Sequence, residues 1–262
     1  VSEGLVTDRH TWDEKVDALD YESYLAFFKG DEGKNSVELY YGIELKELKK
    51  VTKELVDTDP VFEYGFALHD LDWNRFVNQN GSVTLSNWDA ISYEDWGIGT
   101  VKAQGNADSC QAAFFLRPSS KSLLGGWKGG IRIPEISSTE LDMSSVVPAY
   151  EIDPDKETED VFSSRGIHMV PNPSRRFPRK EPVYVYFELY NLTPSESGLT
   201  SFEVEYTLTQ LRHKGIRKLL SIFGSGKKPT TAVSVERLGE TRDSAEYLSL
   251  DLSRAGRGDF RL

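Results

Sequence analysis

Strict alternation of apolar and polar side chains is the feature that most limits what this chain can fold into. In residues 183–192 an apolar side chain recurs at every second position, and residues 201–211 and 61–69 repeat the pattern. A period of two residues is typical of a β-strand whose two faces have different surroundings, whereas a helix needs a period near 3.6. These three segments therefore predict strands.

Shorter segments of the same kind extend the pattern over the whole chain. Further strands are predicted at 36–43, 99–103, 110–117, 167–170, 231–238 and 247–252. No long amphipathic helix is predicted between them, which favours packed antiparallel sheets over a βαβ architecture. The fold class we expect is all-β, with two immunoglobulin-like or fibronectin-like β-sandwich domains in tandem.

The expected division places an N-terminal lead-in at residues 1–35, a first sandwich at 36–135 and a second at 136–262. Within residues 20–28, apolar side chains at spacings of three and four predict a helix, so the lead-in is expected to be partly helical. The last residues, 258–262, read as a turn that enters an unfinished strand. We therefore expect the second sandwich to be truncated at its last strand.

Two further segments have the composition of connections. Residues 78–82, Asn-Gln-Asn-Gly-Ser, predict a hairpin-type turn. Residues 118–130 are rich in Gly, Ser and Lys and predict a loop. This interpretation places Trp127 in a loop, and Trp96, which precedes a glycine, is expected in a loop as well.

Charge and cysteine content exclude several classes of protein. The net charge of −11 at pH 7 would repel a phosphate backbone, so nucleic acid is not an expected partner. Cys110 is the only cysteine, which rules out an intrachain disulfide, and its apolar surroundings predict a small buried side chain. No run of 18 apolar residues occurs, so no transmembrane segment is expected.

No residues stand in a recognisable catalytic, cofactor-binding or metal-binding motif. The four histidines, His10, His69, His168 and His213, are far apart in sequence, and no Gly-x-Ser-x-Gly motif is present. We therefore expect no enzyme and no cofactor, and a hydrolase whose site forms only in space is one alternative. The acidic run 153–160 leaves calcium binding open, although a solvated loop is favoured.

Surface binding can be expected at three kinds of place. Trp96 and Trp127 would suit a carbohydrate or small ligand if their rings were exposed, although anchoring a sandwich core is favoured. Arg217 and Lys218 belong to a basic amphipathic segment, 212–223, which could contact an anionic membrane weakly but is better explained as a short crossover helix. Strand edges could accept a strand from a protein partner, and Glu188 and Tyr190 offer an alternative polar surface.

Four segments together resemble one bacterial family. Residues 138–144 (Ser-Thr-Glu-Leu-Asp-Met-Ser), 170–177 (Val-Pro-Asn-Pro-Ser-Arg-Arg-Phe), 182–192 and 250–262 are similar to the β-sandwich region of envelope proteins that carry a Gly-Trp-x-Thr-Asp (GWxTD) domain. The signature itself is absent, since residues 126–129 read Gly-Trp-Lys-Gly. The resemblance implies an exported, periplasmic or envelope protein that is not an enzyme, and it supplies no catalytic residues. Interaction or scaffolding with a protein partner is the expected function.

Overall fold

The computed structural model describes residues 17–44, 46–47, 61–84, 96–118, 123–156, 162–164, 167–178, 181–211, 230–253 and 258–262. These residues form seventeen strands. In chain order the strands are β1 (Asp17–Ala18), β2 (Glu22–Lys29), β3 (Asn35–Glu44), β4 (Val61–His69), β5 (Arg75–Thr84), β6 (Trp96–Gly105), β7 (Ser109–Pro118), β8 (Leu123–Arg132), β9 (Asp142–Met143), β10 (Val147–Asp153), β11 (Ser163–Ser164), β12 (Ile167–Pro171), β13 (Val183–Tyr190), β14 (Thr200–Gln210), β15 (Thr230–Gly239), β16 (Ser244–Leu250) and β17 (Phe260–Arg261). The predicted all-β fold is confirmed.

The strands form four sheets. Sheet I has the order β1-β8-β7-β4-β5, and sheet II has the order β2-β3-β6. Sheet III has the order β11-β12-β10-β13-β16, with β9 also paired to β13, and sheet IV has the order β15-β14-β17. All pairs are antiparallel except β1 with β8.

Buried side chains join the sheets into successive layers. One cluster packs Val37, Leu39 and Tyr41 of sheet II against Phe66 and Phe114 of sheet I. The opposite face of sheet II forms a second cluster with sheet III, and sheet III in turn packs against sheet IV. Sheets II and III are therefore each covered on both faces.

Strand β3 shows what burial on both faces requires of a sequence. Its odd-numbered residues face sheet I, whereas Tyr40, on the other face, packs with Phe28 and with Tyr186 of sheet III. Glu38 lies on that same face, is 2 % exposed, and its Oε2 accepts a hydrogen bond of 2.7 Å from the Tyr40 hydroxyl. Tyrosine can fill a buried layer in this way because its ring is apolar and its hydroxyl finds a carboxylate.

Glycines in the strands make room for aromatic rings on the neighbouring strand. Gly99 lies directly opposite Tyr41, and a Cβ atom added to Gly99 would overlap the Tyr41 ring. Gly65 stands in the same relation to Phe115, and Gly81 to Tyr64. The glycines are therefore part of the packing, in agreement with the close approach that glycine permits inside strands.

Several local predictions are confirmed by the strand bounds. Residues 61–69 coincide with β4, and residues 183–192 and 201–211 contain β13 and most of β14. Cys110 is buried in β7, where burial raises the pKa of its thiol to about 11.

The division into sandwiches at 36–135 and 136–262 stays a prediction. Sheets I and II consist of strands from residues 36–135 together with β1 and β2, which precede that range. Sheets III and IV consist of strands from residues 136–262.

The helix predicted in residues 20–28 is wrong, because residues 22–28 belong to strand β2, which pairs with β3 along its whole length. Leu25 and Phe27 pack towards sheet I, whereas Ala26 and Phe28 pack towards sheet III. A strand with apolar residues on both faces loses its alternation, so its pattern cannot be told from that of a buried helix.

The turn predicted at 78–82 and most of the loop predicted at 118–130 are also wrong. Residues 78–82 lie inside β5, whose polar side chains are tolerated because β5 is an edge strand of sheet I. Residues 123–130 belong to β8, where Gly125 and Gly126 stand opposite Leu116 and Phe115 of β7. Gly81 makes room for the Tyr64 ring and Gly125 for the Tyr21 ring, so these two glycines serve packing rather than turning of the chain.

The described part of the chain contains no helix that is long and apolar enough to cross a membrane.

Candidate functional site

The tryptophans predicted to lie in loops lie in strands. Trp96 begins β6 and Trp127 is in the middle of β8, so the loop placement of both residues is wrong. Trp96 packs against the cluster formed by Ile98, Tyr150, Phe162 and Val170, and Trp127 packs against the core between sheets I and II. Both positions fit the core-anchoring role that was weighed against sugar binding.

The other sequence predictions for a site fall partly outside the described residues. Arg217 and Lys218, with the whole segment 212–223, lie there, as do His10 and His213. Of the acidic run 153–160, residues 153–156 are described. Within the described ranges no group of three or more His, Cys, Asp or Glu side chains could hold a metal ion.

The two described histidines are buried in different sheets. His168 lies in β12, with its Nε2 atom 3.0 Å from Lys156 Nζ and 3.8 Å from Glu151 Oε1. His69 ends β4, its ring lies 5.5 Å from the Trp73 ring, and neither of its ring nitrogens has a hydrogen-bond partner within the described part of the chain.

Glu188 and Tyr190, considered above as a polar surface, are buried between sheets II and III. The Glu188 carboxylate accepts hydrogen bonds of 2.8 Å from the Tyr186 hydroxyl and 2.7 Å from the Tyr190 hydroxyl. The Tyr190 hydroxyl also accepts a bond of 3.0 Å from the backbone N–H of Lys29 in sheet II. This side of β13 therefore joins two sheets, and the idea that it is a binding surface is wrong.

An open groove of about 850 Å³ lies between sheets III and IV. Its apolar lining includes Pro148 of β10, Val183 and Val185 of β13, and Leu208 of β14, and Phe177 adds an aromatic side chain. We call this feature the β14 groove. Such a volume is within the range of ligand pockets, and its lining suits apolar side chains better than hydroxyl-rich sugars.

Beside the groove, strand β14 has a backbone edge that no other described strand covers. Among the described residues, β17 pairs with this edge at Thr209 and Gln210 and runs towards residue 208, with one residue, Leu262, left in the given sequence, and Pro194 forms an isolated bridge to Thr200 at the far end. We call the intervening stretch, residues 202–208, the β14 window. It spans about 24 Å, which is room for one short added strand.

The direction of the backbone groups in the β14 window follows from its two ends. The N–H of Leu211 donates to the Asp259 carbonyl on the β17 side, and the ladder with β15 continues from Thr200 to Thr209 without a shift. Successive residues of an antiparallel strand direct their backbone N–H and C=O groups to opposite edges. Residues 203, 205 and 207 therefore direct these groups to the same edge as Leu211, which is the open edge. An extended segment could bind these groups by strand addition.

A loop with two arginines lines the groove opposite β14. Asn172 is fully buried, and its side-chain Oδ1 accepts bonds of 2.7 Å from the Ser174 hydroxyl and 2.9 Å from the backbone N–H of Arg175. The Asn172 side-chain amide donates to the Arg176 carbonyl at 2.8 Å. Arg175 has a φ of 53°, so the loop turns through a left-handed residue that these bonds hold in place.

Comparison with family models, curated proteins and solved structures finds no match to this chain. The resemblance to GWxTD-containing envelope proteins is therefore still a prediction, based on the four segments quoted above.

Sequence reasoning anticipated strand edges as binding sites but did not identify which edge. The alternation in 201–211 predicted β14, yet nothing in it shows that one side of the strand has no neighbour among the described strands. The segment Pro-Asn-Pro-Ser-Arg-Arg contributes Arg175 and Arg176 to the groove lining, but sequence reasoning used it only for the family resemblance.

Proposed function

We propose that this chain is a non-enzymatic interaction module that binds an extended segment of a protein partner by strand addition at the β14 window. The observation that carries the proposal is that residues 202–208 of β14 have no neighbouring strand on one edge among the described residues and lie beside an apolar groove. The edge supplies directional hydrogen bonds and the groove supplies apolar burial, which together are the two components of β-strand recognition.

The inward side chains of β14 indicate what the bound segment would complete. Val204 and Tyr206 belong to the core between sheets III and IV, and Leu208 lines the groove. Val146, next to β10, is 41 % exposed in the groove. A strand added beside β14 would extend sheet IV over this surface and remove it from water, at about 25 cal/mol of gain for each Å² of apolar area buried.

The resemblance to the β-sandwich region of GWxTD-containing proteins supports the same class of function. It suggests an exported, periplasmic or envelope protein with immunoglobulin-like modules that takes part in protein interaction or scaffolding. A signal peptide encoded upstream in the gene would agree with this compartment.

Two glutamates that face each other across sheet IV provide a matched test. Glu203 of β14 and Glu236 of β15 are directly paired and exposed, and each turns its backbone N–H away from the other strand, Glu203 to the β14 window and Glu236 to the opposite edge. Proline has no N–H, so Glu203→Pro removes a donor of the window and Glu236→Pro removes one from the far edge.

The probe is a set of peptides selected on the wild-type chain from a random 12-residue library. We expect the selected peptides to bind the wild-type chain and Glu236→Pro alike and to lose at least tenfold in affinity on Glu203→Pro. Circular dichroism checks that both variants are folded. Equal binding to both proline variants, or a library that yields no binder, would overturn the proposal. If the wild-type chain self-associates with rising concentration and Glu203→Pro abolishes this association, the segment bound in the β14 window belongs to a second copy of the chain.

A small-ligand or carbohydrate module is the alternative, for which the sequence predicted Trp96 and Trp127 as binding residues. The volume of the β14 groove favours a small ligand, although neither tryptophan lines this groove. Saturable binding of a polysaccharide or small apolar ligand in isothermal titration calorimetry, weakened by Leu208→Ala, would support it, and a flat response across the panel would remove it.

A further inference from the structure

We infer that two copies of this chain pair edge to edge through strand β5, antiparallel and about a two-fold axis that passes beside Asn80. The inference goes beyond the proposed function. It concerns sheet I and a second copy of the chain, whereas strand addition at the β14 window concerns sheet IV and another protein.

Strand β5 is the outer edge of sheet I and is exposed. It pairs with β4 on one side, and no described strand pairs with its other side. The side chains of Asn78, Asn80 and Ser82 are exposed on one face of the strand, and that of Gln79 is exposed on the other face. Another strand can therefore approach this edge without displacing any described part of the chain.

The β5 edge lacks the charges that protect other edges. Its residues 76–84 contain no charged side chain and no proline, both of which disfavour pairing with another chain when they occur on an edge strand. Among the described strands, β5 is therefore the long edge least protected against pairing. The other long edge strands each carry at least one charge, namely Glu22 and Lys29 in β2, Lys102 in β6, Glu236 and Arg237 in β15, and Glu246 in β16.

The chemistry of this edge fits a second copy of the same strand. Two copies that each carry a net charge of −11 repel each other over most of their surface, and this repulsion is weakest at an uncharged edge. The side-chain amides of Asn78 and Asn80 each offer both donors and an acceptor, so they can bond to the same groups of another copy. A two-fold contact requires this self-complementarity, because the same surface lies on both sides.

The sequence of β5 favours one register of the pair. In an antiparallel pair about a two-fold axis, the central residue faces its own copy. With Asn80 at the centre, Val77 faces Val83 of the second copy, and both valines already pack at the margin of the core between sheets I and II. With Gln79 at the centre, Val77 would face Gly81 instead. The register centred on Asn80 therefore gives the better cross-strand pairs.

Opposite charges at residue 80 test the pairing and its register together. We expect sedimentation velocity to show a dimer of the wild-type chain at concentrations up to about 1 mM, which covers weak interfaces. Asn80→Lys and Asn80→Glu should each weaken the dimer about fivefold, because each places like charges opposite each other across the axis. An equimolar mixture of the two variants should restore association as a heterodimer, because opposite charges then face each other.

Two control variants separate this contact from others. Ala232→Lys makes an exposed charge change in the edge strand β15 and should leave the dimer unchanged. Glu203→Pro should also leave it unchanged, because that substitution acts on the β14 window. Circular dichroism checks that all variants are folded.

Three results would overturn the inference without affecting peptide binding at the β14 window. The first is a wild-type chain that stays monomeric up to about 1 mM. The second is a dimer that both Asn80 variants leave intact, or that Glu203→Pro abolishes. The third is a mixture of Asn80→Lys and Asn80→Glu that associates no better than either variant alone, since residue 80 would then not face its own copy.

Discussion

Two buried tyrosine hydroxyls, those of Tyr190 and Tyr206, have opposite surroundings. The Tyr190 hydroxyl donates to Glu188 at 2.7 Å and accepts from the Lys29 N–H, whereas the Tyr206 hydroxyl has no hydrogen-bond partner within the described residues. A buried polar group stabilises a fold only when it is paired, because burial removes its bonds to water.

Matched Tyr→Phe substitutions at these positions should differ in sign or size. Tyr190→Phe leaves the Lys29 N–H and one Glu188 oxygen without this partner, and we expect a loss of about 1–3 kcal/mol of unfolding free energy. Tyr206→Phe removes an unpaired hydroxyl and should change stability by less than about 0.5 kcal/mol or increase it. Urea denaturation measures both, and equal losses would contradict the assigned hydrogen bonds.

His69 should make stability depend on pH. Burial lowers the pKa of His69, and the positive charges of Lys128 and Arg75 lower it further against an opposing effect of Asp70. The unfolded chain, with an ordinary histidine pKa near 6.5, therefore binds this proton first as the pH falls. Stability from this residue is complete above about pH 6.5 and is lost as the pH falls towards the folded pKa, by up to about 1.4 kcal/mol per pH unit.

His69→Phe tests this pH dependence, because phenylalanine keeps an aromatic ring and cannot bind a proton. We expect the difference in unfolding free energy between the wild-type chain and His69→Phe to be constant above pH 7 and to shift in favour of the variant between pH 6.5 and 5. A difference that stays constant over the whole range would show that His69 is protonated equally in both states.

At the scale of strands, glycine opposite an aromatic ring is the recurring device. Gly99→Ala would place a methyl group against the Tyr41 ring, and we expect a loss of about 1–3 kcal/mol. Gly129 of β8 has no atom within 4 Å of an added Cβ, so Gly129→Ala should change stability by less than about 0.5 kcal/mol. Thermal or urea unfolding checks the pair, and equal effects would contradict the packing role of Gly99.

Glycine content also decided which strands could be predicted from sequence. Strands β4, β13 and β14 alternate cleanly and were located within a few residues. Strand β8 was interpreted as a loop because its glycines have the composition of a turn, although Gly125 makes room for the Tyr21 ring. The β14 window could not be predicted, since the absence of a neighbour among the described strands leaves no mark on the sequence of β14.

At the scale of the molecule, sheets II and III are each buried on both faces. In two independent sandwiches, by contrast, every sheet would have one face exposed to water. The polar-looking face of β13 was expected to meet water, yet Tyr186 packs against Phe28 of sheet II. Tyrosine and glutamate were interpreted as surface residues because sequence shows their polarity but not their partners. The layered contacts link sheets I and II to sheets III and IV.

This linkage predicts coupled unfolding, which the tryptophans can report. All five lie between Trp12 and Trp127 in the first half of the chain, and of these Trp96 also packs against Tyr150 and Phe162 of the second half. Phe187→Ala, in the core between sheets III and IV, should lower the urea midpoint seen by tryptophan fluorescence as much as that seen by far-UV circular dichroism. An unchanged fluorescence midpoint would show that the halves unfold independently.

Amide hydrogen exchange along β14, resolved by NMR, tests the open edge most directly. The amides of residues 204 and 206 are bonded to β15, and we expect them to exchange at least about a hundredfold more slowly than those of residues 203, 205 and 207, which face the β14 window. Slow exchange at all five positions would show that the edge is already covered, and would contradict strand addition at β14.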